Sequence, residues 1–381
     1  MLLARRGHRV LLCDRAAFPS EPVSTGAFQL PGVRYLQRWG LLERLVATGV
    51  PPVREVVMSF GRSASSVVLP PDEWLYAPRR KVLDQLLVDA AVEAGAEFRE
   101  RTALVGFEQA EDRDRDRGLR AVRLRGPDGA EVVERARLVI GADGRRSTVA
   151  RLLGVSVSRS FPMRGHGAYA HYAELPVAGY EFYGPGGLSA ASGVPTRSGA
   201  WIMLHPTNDG LTCVTTAGRR KATSPLARLD KTVAQIPAVR DRIGAARRVG
   251  RVVGCDMEPL LYRPAYGLGW ALVGDASFHQ GPLSGLGMSH AFRDADRLSA
   301  AVASWLEGEV TYGAALSSYE ADRELVSYPI YETITTGVRA RMLGPLGRRK
   351  ASAIEERRQA LVRTWAAGIN TERVTEDRDG E

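Results

Sequence analysis

One stretch, Gly269 to Ala301 (GWALVGDASFHQGPLSGLGMSHAFRDADRLSAA), constrains the fold more than any other part of the chain. Trp270 to Val273 is a short apolar run that reads as a buried strand, and Gly274-Asp275 breaks it. Pro282, Gly285 and Gly287 punctuate the loop that follows. From Met288 onward the apolar positions Met288, Ala291, Phe292, Ala295 and Leu298 recur at helical spacing. A strand, a glycine-rich loop and a helix N-terminus in that order make an anion site, because free backbone N–H groups and the helix dipole converge there. An aspartate at the strand end is placed to accept hydrogen bonds from a sugar hydroxyl. The stretch asks for a ligand that carries both a polyol and phosphates.

Three further stretches share this logic. Arg9 to Cys13 (RVLLC) reads as a short buried strand after a helix end at residues 2–6 capped by Gly7, and Asp14-Arg15 closes it. An acidic residue at the end of a second βαβ strand can bind an adenosine ribose, although a plain turn residue reads the same way in isolation. APRRKVLDQLLVDAAVEAG predicts a helix that opens with arginines and is capped by Gly95. GADGRRSTVARLLG predicts strand, tight Gly141-Ala142-Asp143-Gly144 turn and helix, a geometry in which the backbone can approach a bulky cofactor.

Taken together, the GD-x3-H-x2-P-x2-G-x-G run, the R-x2-LD-x2-L helix and the DG turn resemble FAD-dependent monooxygenases of the para-hydroxybenzoate hydroxylase type, and this covers nearly the whole chain in order. The resemblance implies an α/β fold: a Rossmann-like FAD/NAD(P)-binding domain interleaved with an antiparallel β-sheet substrate domain. It places cofactor binding on Asp14, Arg15, Arg80, Asp143, Gly144, Gly274, Asp275, Pro282, Gly285 and Gly287, with Ser147 and Arg151 also at matching places of the DG motif. Arg80 would reach the FAD pyrophosphate with a bidentate fork, for which a Lys is a poor substitute. Ser24, Thr25 and Gln29 fall in a connection that passes the flavin in that family, where plain loop chemistry explains them equally well. The cofactor is then FAD, with NAD(P)H as a transient co-substrate. Oxygen would pass from a flavin C4a-hydroperoxide to a small aromatic or polyketide-like substrate. The cofactor carries the chemistry, so no nucleophile or metal is required. His279 is the one histidine placed to handle a proton, or else to hold the loop by a hydrogen bond.

The family pattern also has a G-x-G-x-x-G strand and loop before the Arg9–Cys13 strand, and this sequence starts inside the following helix. By analogy roughly twenty residues are wanting. The expected consequences are weak FAD binding and an unpaired edge on the Arg9–Cys13 strand. A related reductase of isoprenoid double bonds shares these motifs. A halogenase is disfavoured because the W-x-W-x-I-P box is missing. A reading of another class is a folded, non-enzymatic remnant.

Composition sets outer limits. With 381 residues, 44% hydrophobic and 25% charged, the chain can bury a sizeable core. Its net charge of +9 is mostly dispersed arginine, which suits a solvated surface and attraction of anionic cofactors better than a nucleic-acid patch. No apolar run is long enough to span a membrane, and no secretory signal is recognisable at the N-terminus. Three separated cysteines without a CxxC fit a reducing cytoplasm.

The remaining segments predict a substrate roof. Residues 53–69 read as a hairpin, 32–46 as a helix and 225–248 as a helical return. HGAYAHYAEL, YEFYG, GAWIMLHPT and GLTCVTTAG are β-rich, with Tyr169, His171, Tyr183, Trp201 and Met203 as candidate pocket liners. The expected division is 1–155 with 250–335 for the cofactor domain, 156–249 for the β-rich domain, and 336–381 for a C-terminal helix and tail. Within that division EQAEDRDRDRG predicts a solvated hairpin tip, and Arg339–Arg363 a basic amphipathic helix.

Overall fold

The computed structural model describes residues 1–60, 63–108, 120–163, 165–184, 200–218, 224–342, 356–357 and 359–369. The charged run at 109–119, most of the basic segment beyond 342 and the tail lie outside the described residues.

Parallel strands supply the α/β part of the molecule. Leu11–Cys13 runs parallel to Glu97–Arg99, and the helix Arg80–Glu93 precedes this crossover partner. That helix buries Leu83, Leu86, Ala90 and Ala91 and ends where Gly95 takes φ +92°, a left-handed turn that a side chain would strain. Val139–Gly141 runs parallel to Trp270–Leu272, which carries Tyr266–Gly267 on its other side. The two parallel pairs form separate sheets among the described residues, and Ile140 is 36% exposed, unlike a parallel strand covered on both faces. A three-stranded meander (Ala103–Phe107, Arg120–Arg125, Glu131–Ala136) leads into the Val139–Gly141 strand.

The roof is a seven-stranded sheet in the order 247–256, 166–173, 212–218, 201–206, 180–184, 55–60, 63–68. All its pairings are antiparallel except that of Tyr180–Gly184 with Glu55–Phe60. The predicted hairpin at 53–69 is present, but it belongs to the roof, which therefore extends beyond residues 156–249 on both sides. Alternation along the strands gives each face a purpose. Ala168, Ala170, Tyr172, Ile202, Leu204 and Val214 pack on Leu229, Val233, Val239 and Ile243 of the helices Pro225–Ala234 and Pro237–Ala245. The opposite face looks toward the cofactor half.

Two helices expected as continuous are broken. The 32–46 segment is Leu30–Arg38 followed by Leu42–Ala47, because Gly40 between them takes φ +70°. The 225–248 segment divides at Pro237, which has no N–H to continue the ladder. Helix Gly287–Leu306 and the long helix Tyr312–Met342 pack along the Trp270–Leu272 strand, burying Leu298, Val302, Ala315, Leu316 and Tyr319 with Ala271. Among the described residues no helix is long and apolar enough to cross a membrane, and no group of three His, Cys, Asp or Glu is arranged to hold a metal.

Candidate functional site

The site grows from the carboxyl end of Trp270–Leu272. Gly274 turns the chain with φ +54°, and an added Cβ would lie 3.1 Å from that of Ala291. This close approach sets the turn directly on helix Gly287–Leu306. The Gly274 N–H donates to Asp294 Oδ2 at 3.0 Å, and the Tyr319 hydroxyl donates to the Leu272 carbonyl at 2.8 Å. Arg323, only 1% exposed, donates to the Arg263 carbonyl at 2.8 Å and to the Ser277 hydroxyl. The turn is thus held by two helices and leaves its next residue, Asp275, to project outward.

The Asp275 side chain is 40% exposed and, among the described residues, hydrogen-bonds one side chain, His279, through Oδ2 and Nδ1 at 2.9 Å. The second histidine role considered from sequence, a loop hydrogen bond, is therefore the one with geometry behind it. Beyond it, Gly281 and Gly285 take φ +67° and +66°, and Pro282–Ser284 form a single 3₁₀ turn. A Cβ on Gly285 would come 3.1 Å from Gln29 Nε2, so the 14–31 connection is packed against this loop.

Helix Gly287–Leu306 begins at Leu286 without a side-chain cap and without acidic residues in its first turn, leaving N–H groups for an anion. Around its start, Gln280 Nε2 and Ser289 Oγ are buried and lack a hydrogen-bond partner among the described residues. Orphaned donors beside an uncapped helix N-terminus and a glycine loop fit a ligand rich in oxygen acceptors. The donor set therefore suits the FAD that the sequence motifs imply.

The buried electrostatics concentrate on the same helix. Burial raises the Asp294 carboxyl to about 6 against the opposing pull of Arg293 and Arg323. Burial, with Arg293 acting in the same direction, lowers His290 to about 3. Sequence reading missed Asp294. Its signal was its phase, since His290, Asp294 and Leu298 follow one another at i, i+4 and i+8 and all three are buried.

The other predicted residues occupy different environments. Asp143 Oδ2 accepts the N–H groups of Thr148 (2.6 Å) and Val149 (3.1 Å), and Ser147 Oγ accepts that of Ala150, so the DG turn caps its own helix Thr148–Leu152. Gly144 takes φ +76° with open space around it, and Arg151 is exposed. Asp14 Oδ1 accepts the Ala16 N–H at 2.8 Å in a local turn, and Arg15 is exposed. The Arg80 fork engages Asp84 at 2.7 and 2.8 Å, one helical turn along.

On the roof, Tyr169 faces the cofactor half and its hydroxyl accepts the Ser24 N–H at 3.4 Å. His171 and Met203 share that face by alternation, as does Trp201, which lies 6.3 Å from Phe182. Tyr183 does not. Its hydroxyl donates to Glu181 and its ring packs with the helices on the far side, together with Arg242. Tyr180 locks the two halves together, its buried hydroxyl lying 2.9 Å from the Tyr76 carbonyl and 3.1 Å from that of Phe28.

Comparison with known proteins identifies the family. A family model described as FAD binding domain matches residues 1–333. Aklavinone 12-hydroxylase of Streptomyces peucetius is 30% identical over 366 residues, covering 86% of this chain and 69% of the relative. Rifampicin monooxygenase of Streptomyces venezuelae is 26% identical, covering 87% and 66% respectively. Kynurenine 3-monooxygenase of Salinispora arenicola is 28% identical, covering 85% and 73%. The chain therefore spans about two thirds to three quarters of the length of these relatives. Among solved structures, PqsL of Pseudomonas aeruginosa, titled a probable FAD-dependent monooxygenase, superposes with a TM-score of 0.72 at 21% identity over 93% of this chain and 94% of that one. The myxobacterial chondrochloren halogenase CndH gives 0.74 at 22%, over 97% and 86%. These structural likenesses speak to the fold.

Proposed function

The chain belongs to the FAD-binding-domain family, the flavoprotein monooxygenases of the para-hydroxybenzoate hydroxylase type, and on that premise we propose that it is an NAD(P)H-dependent hydroxylase of an aromatic or polyketide-like small molecule. Support for the substrate class comes from the relatives' names, which include hydroxylases and monooxygenases of aklavinone, rifampicin and kynurenine.

The observation that carries the reading is the half-exposed Asp275 beside an uncapped helix N-terminus, a glycine loop and orphaned buried polar atoms. In this proposal Asp275 accepts hydrogen bonds from the polyol of FAD, and His279 holds the carboxylate at the required angle. The N–H groups at Gly287 and Met288 would be free to donate to an oxygen-rich part of the ligand. Arg80 stands at the start of its helix as the phosphate-side cation, kept in a fixed rotamer by Asp84. Asp143 shapes the DG turn through the helix it caps, and Gly144 leaves room for backbone approach. When bound, FAD supplies the redox chemistry, taking reducing equivalents from NAD(P)H and activating O2. The protein positions the cofactor, excludes water and offers the roof face carrying Tyr169, His171 and Met203 to the substrate.

The test is direct. The purified chain is loaded with FAD, and NADPH and NADH oxidation are followed with O2 uptake, with and without a panel of phenolic and polyketide aromatics. The proposal predicts O2 uptake stimulated by at least one aromatic, with a product heavier by one oxygen. Anaerobic reduction of an isoprenoid double bond, with no O2 uptake by any aromatic, would replace it with the reductase reading.

A further inference from the structure

Residues 207–210 make the tight turn between roof strands Trp201–Pro206 and Thr212–Gly218, and three successive turn residues bind the segment that opens the Arg80 helix. The Thr207 hydroxyl donates to the Ala77 carbonyl at 2.6 Å. Asn208 Oδ1 accepts the Arg79 backbone N–H at 3.0 Å, while its Nδ2 donates to the carbonyl and hydroxyl of Thr48 at 3.2 Å each. The Asp209 carboxylate takes Arg79 Nη1 at 2.9 Å and Lys81 Nζ at 3.4 Å. Asp209 does this with φ +65°, a left-handed backbone that its surroundings must hold in place.

Arg79 then reaches away from the roof. Its Nε and Nη2 donate to the two oxygens of Glu21 at 2.9 and 2.5 Å, and the side chain is only 18% exposed. Glu21 opens a run that lies along residues 76–79 like a strap. Ser24 N–H reaches the Tyr169 hydroxyl, and Phe28 N–H donates to the Tyr76 carbonyl at 3.0 Å. Gly26 passes so close that a Cβ would sit 2.1 Å from the Pro78 carbonyl oxygen. A bidentate guanidinium that also serves a second carboxylate is a geometry Lys cannot supply.

We propose that Arg79 is a positioning residue: by joining Glu21 to Asp209 it holds the Glu21–Phe28 strap closed between the Arg80 helix and the inner face of the roof, and so sets the shape of the substrate side of the cofactor site. The last clause rests on the flavin reading above, whereas the closure itself does not. Without the guanidinium, Asp209 would keep only Lys81, Glu21 would lose both of its N–H donors, and the strap would lose its anchor at one end.

The experiment uses the full chain and two readouts. Amide hydrogen exchange at Ser24, Gly26 and Phe28 reports closure without any cofactor, and Leu86, Ala90 and Leu298 serve as core references. Arg79→Met is expected to speed exchange across the strap by about tenfold or more while the references stay within twofold. Glu21→Gln, a change at a partly exposed position, should give a smaller acceleration of about threefold and serves where Arg79→Met folds poorly. The second readout is iodide quenching of bound-FAD fluorescence, whose constant should rise about twofold in Arg79→Met. Unchanged strap exchange in both variants overturns the proposal. Faster exchange with unchanged iodide access overturns the clause that places the strap over the cofactor site. Failure of the wild-type chain to bind FAD would count against the flavin reading, and the exchange data would still decide the strap.

Discussion

Two glycine–aspartate turns end neighbouring parallel strands, with Gly141 opposite Leu272 in register, yet they use their carboxylates in opposite ways. Asp143 turns back on its own chain and satisfies two N–H groups of the helix it precedes. Asp275 has no helix of its own to cap. Its turn is held from behind by Asp294 and Tyr319, and among the described residues its carboxylate hydrogen-bonds His279 alone. A carboxylate that accepts the backbone donors of its own helix is a structural part, and one whose turn is held by other residues, with a single histidine as its partner, is a ligand-binding part. A glycine beside an aspartate therefore has different meanings in the two turns, and for the GD turn the difference lies in residues further along the chain, Asp294 and Tyr319.

The largest way to break the comparison is to remove the support behind the GD turn. Asp294→Leu orphans the Gly274 N–H and leaves Arg293 and Arg323 without the buried carboxylate. We expect a loss of about 3–5 kcal/mol in denaturant unfolding. A loss below about 1 kcal/mol would mean that the turn holds itself.

Acid stability probes the support behind the GD turn next. His290 has a folded pKa of about 3, below its unfolded value, so the stability it permits is complete above about 6.5 and is lost as pH falls toward 3. Asp294 acts with the opposite sign. Its raised pKa of about 6 favours the folded state most below about 4, and that contribution fades as pH rises through 6. Relative to wild type, His290→Gln should gain about 2–3 kcal/mol at pH 4.5 compared with pH 8. Parallel pH curves for the two proteins would show that His290 is not what titrates.

Asp143→Ala tests the capping turn from its own side. Loss of a helix N-cap costs about 1 kcal/mol. Thermal unfolding should register that, and a larger loss confined to FAD binding would return Asp143 to the cofactor. The smallest effect is expected from Arg80→Lys, because Asp84 already orients that side chain. FAD affinity should fall by about two- to fivefold, the difference between a fork and a point charge. An unchanged affinity would make Arg80 a helix-start arginine.

Much of this was legible because it is local. Glycine spacing, the strand before it and the helical period after it gave the GD loop, the DG turn and the Arg80 helix. Chain breaks were legible in principle, since Gly40 and Pro237 stand at the points where two predicted helices divide. The rest depends on which distant segments meet. Nothing in VREVVMSF announces that Glu55–Phe60 will pair in parallel with Tyr180–Gly184 and join the roof. Nothing near Arg79 shows that Asp209, 130 residues later, will accept its guanidinium. Tyr183 and Tyr169 look alike in sequence, and only strand register sends one to the helices and the other to the cofactor loop.

The central claim is that the carboxylate of the GD turn, and not the helix-capping one of the DG turn, holds the cofactor. FAD titration of the wild-type chain, Asp275→Ala and Asp143→Ala, followed by flavin fluorescence quenching at one protein concentration and pH 7.5, tests it most directly. Losing charge-assisted hydrogen bonds of about 2–3 kcal/mol should raise the FAD dissociation constant by about 30- to 150-fold in Asp275→Ala. Asp143→Ala should stay within about threefold of wild type, since its loss falls on helix stability. Equal affinities for wild type and Asp275→Ala, or a greater loss in Asp143→Ala, would contradict the account.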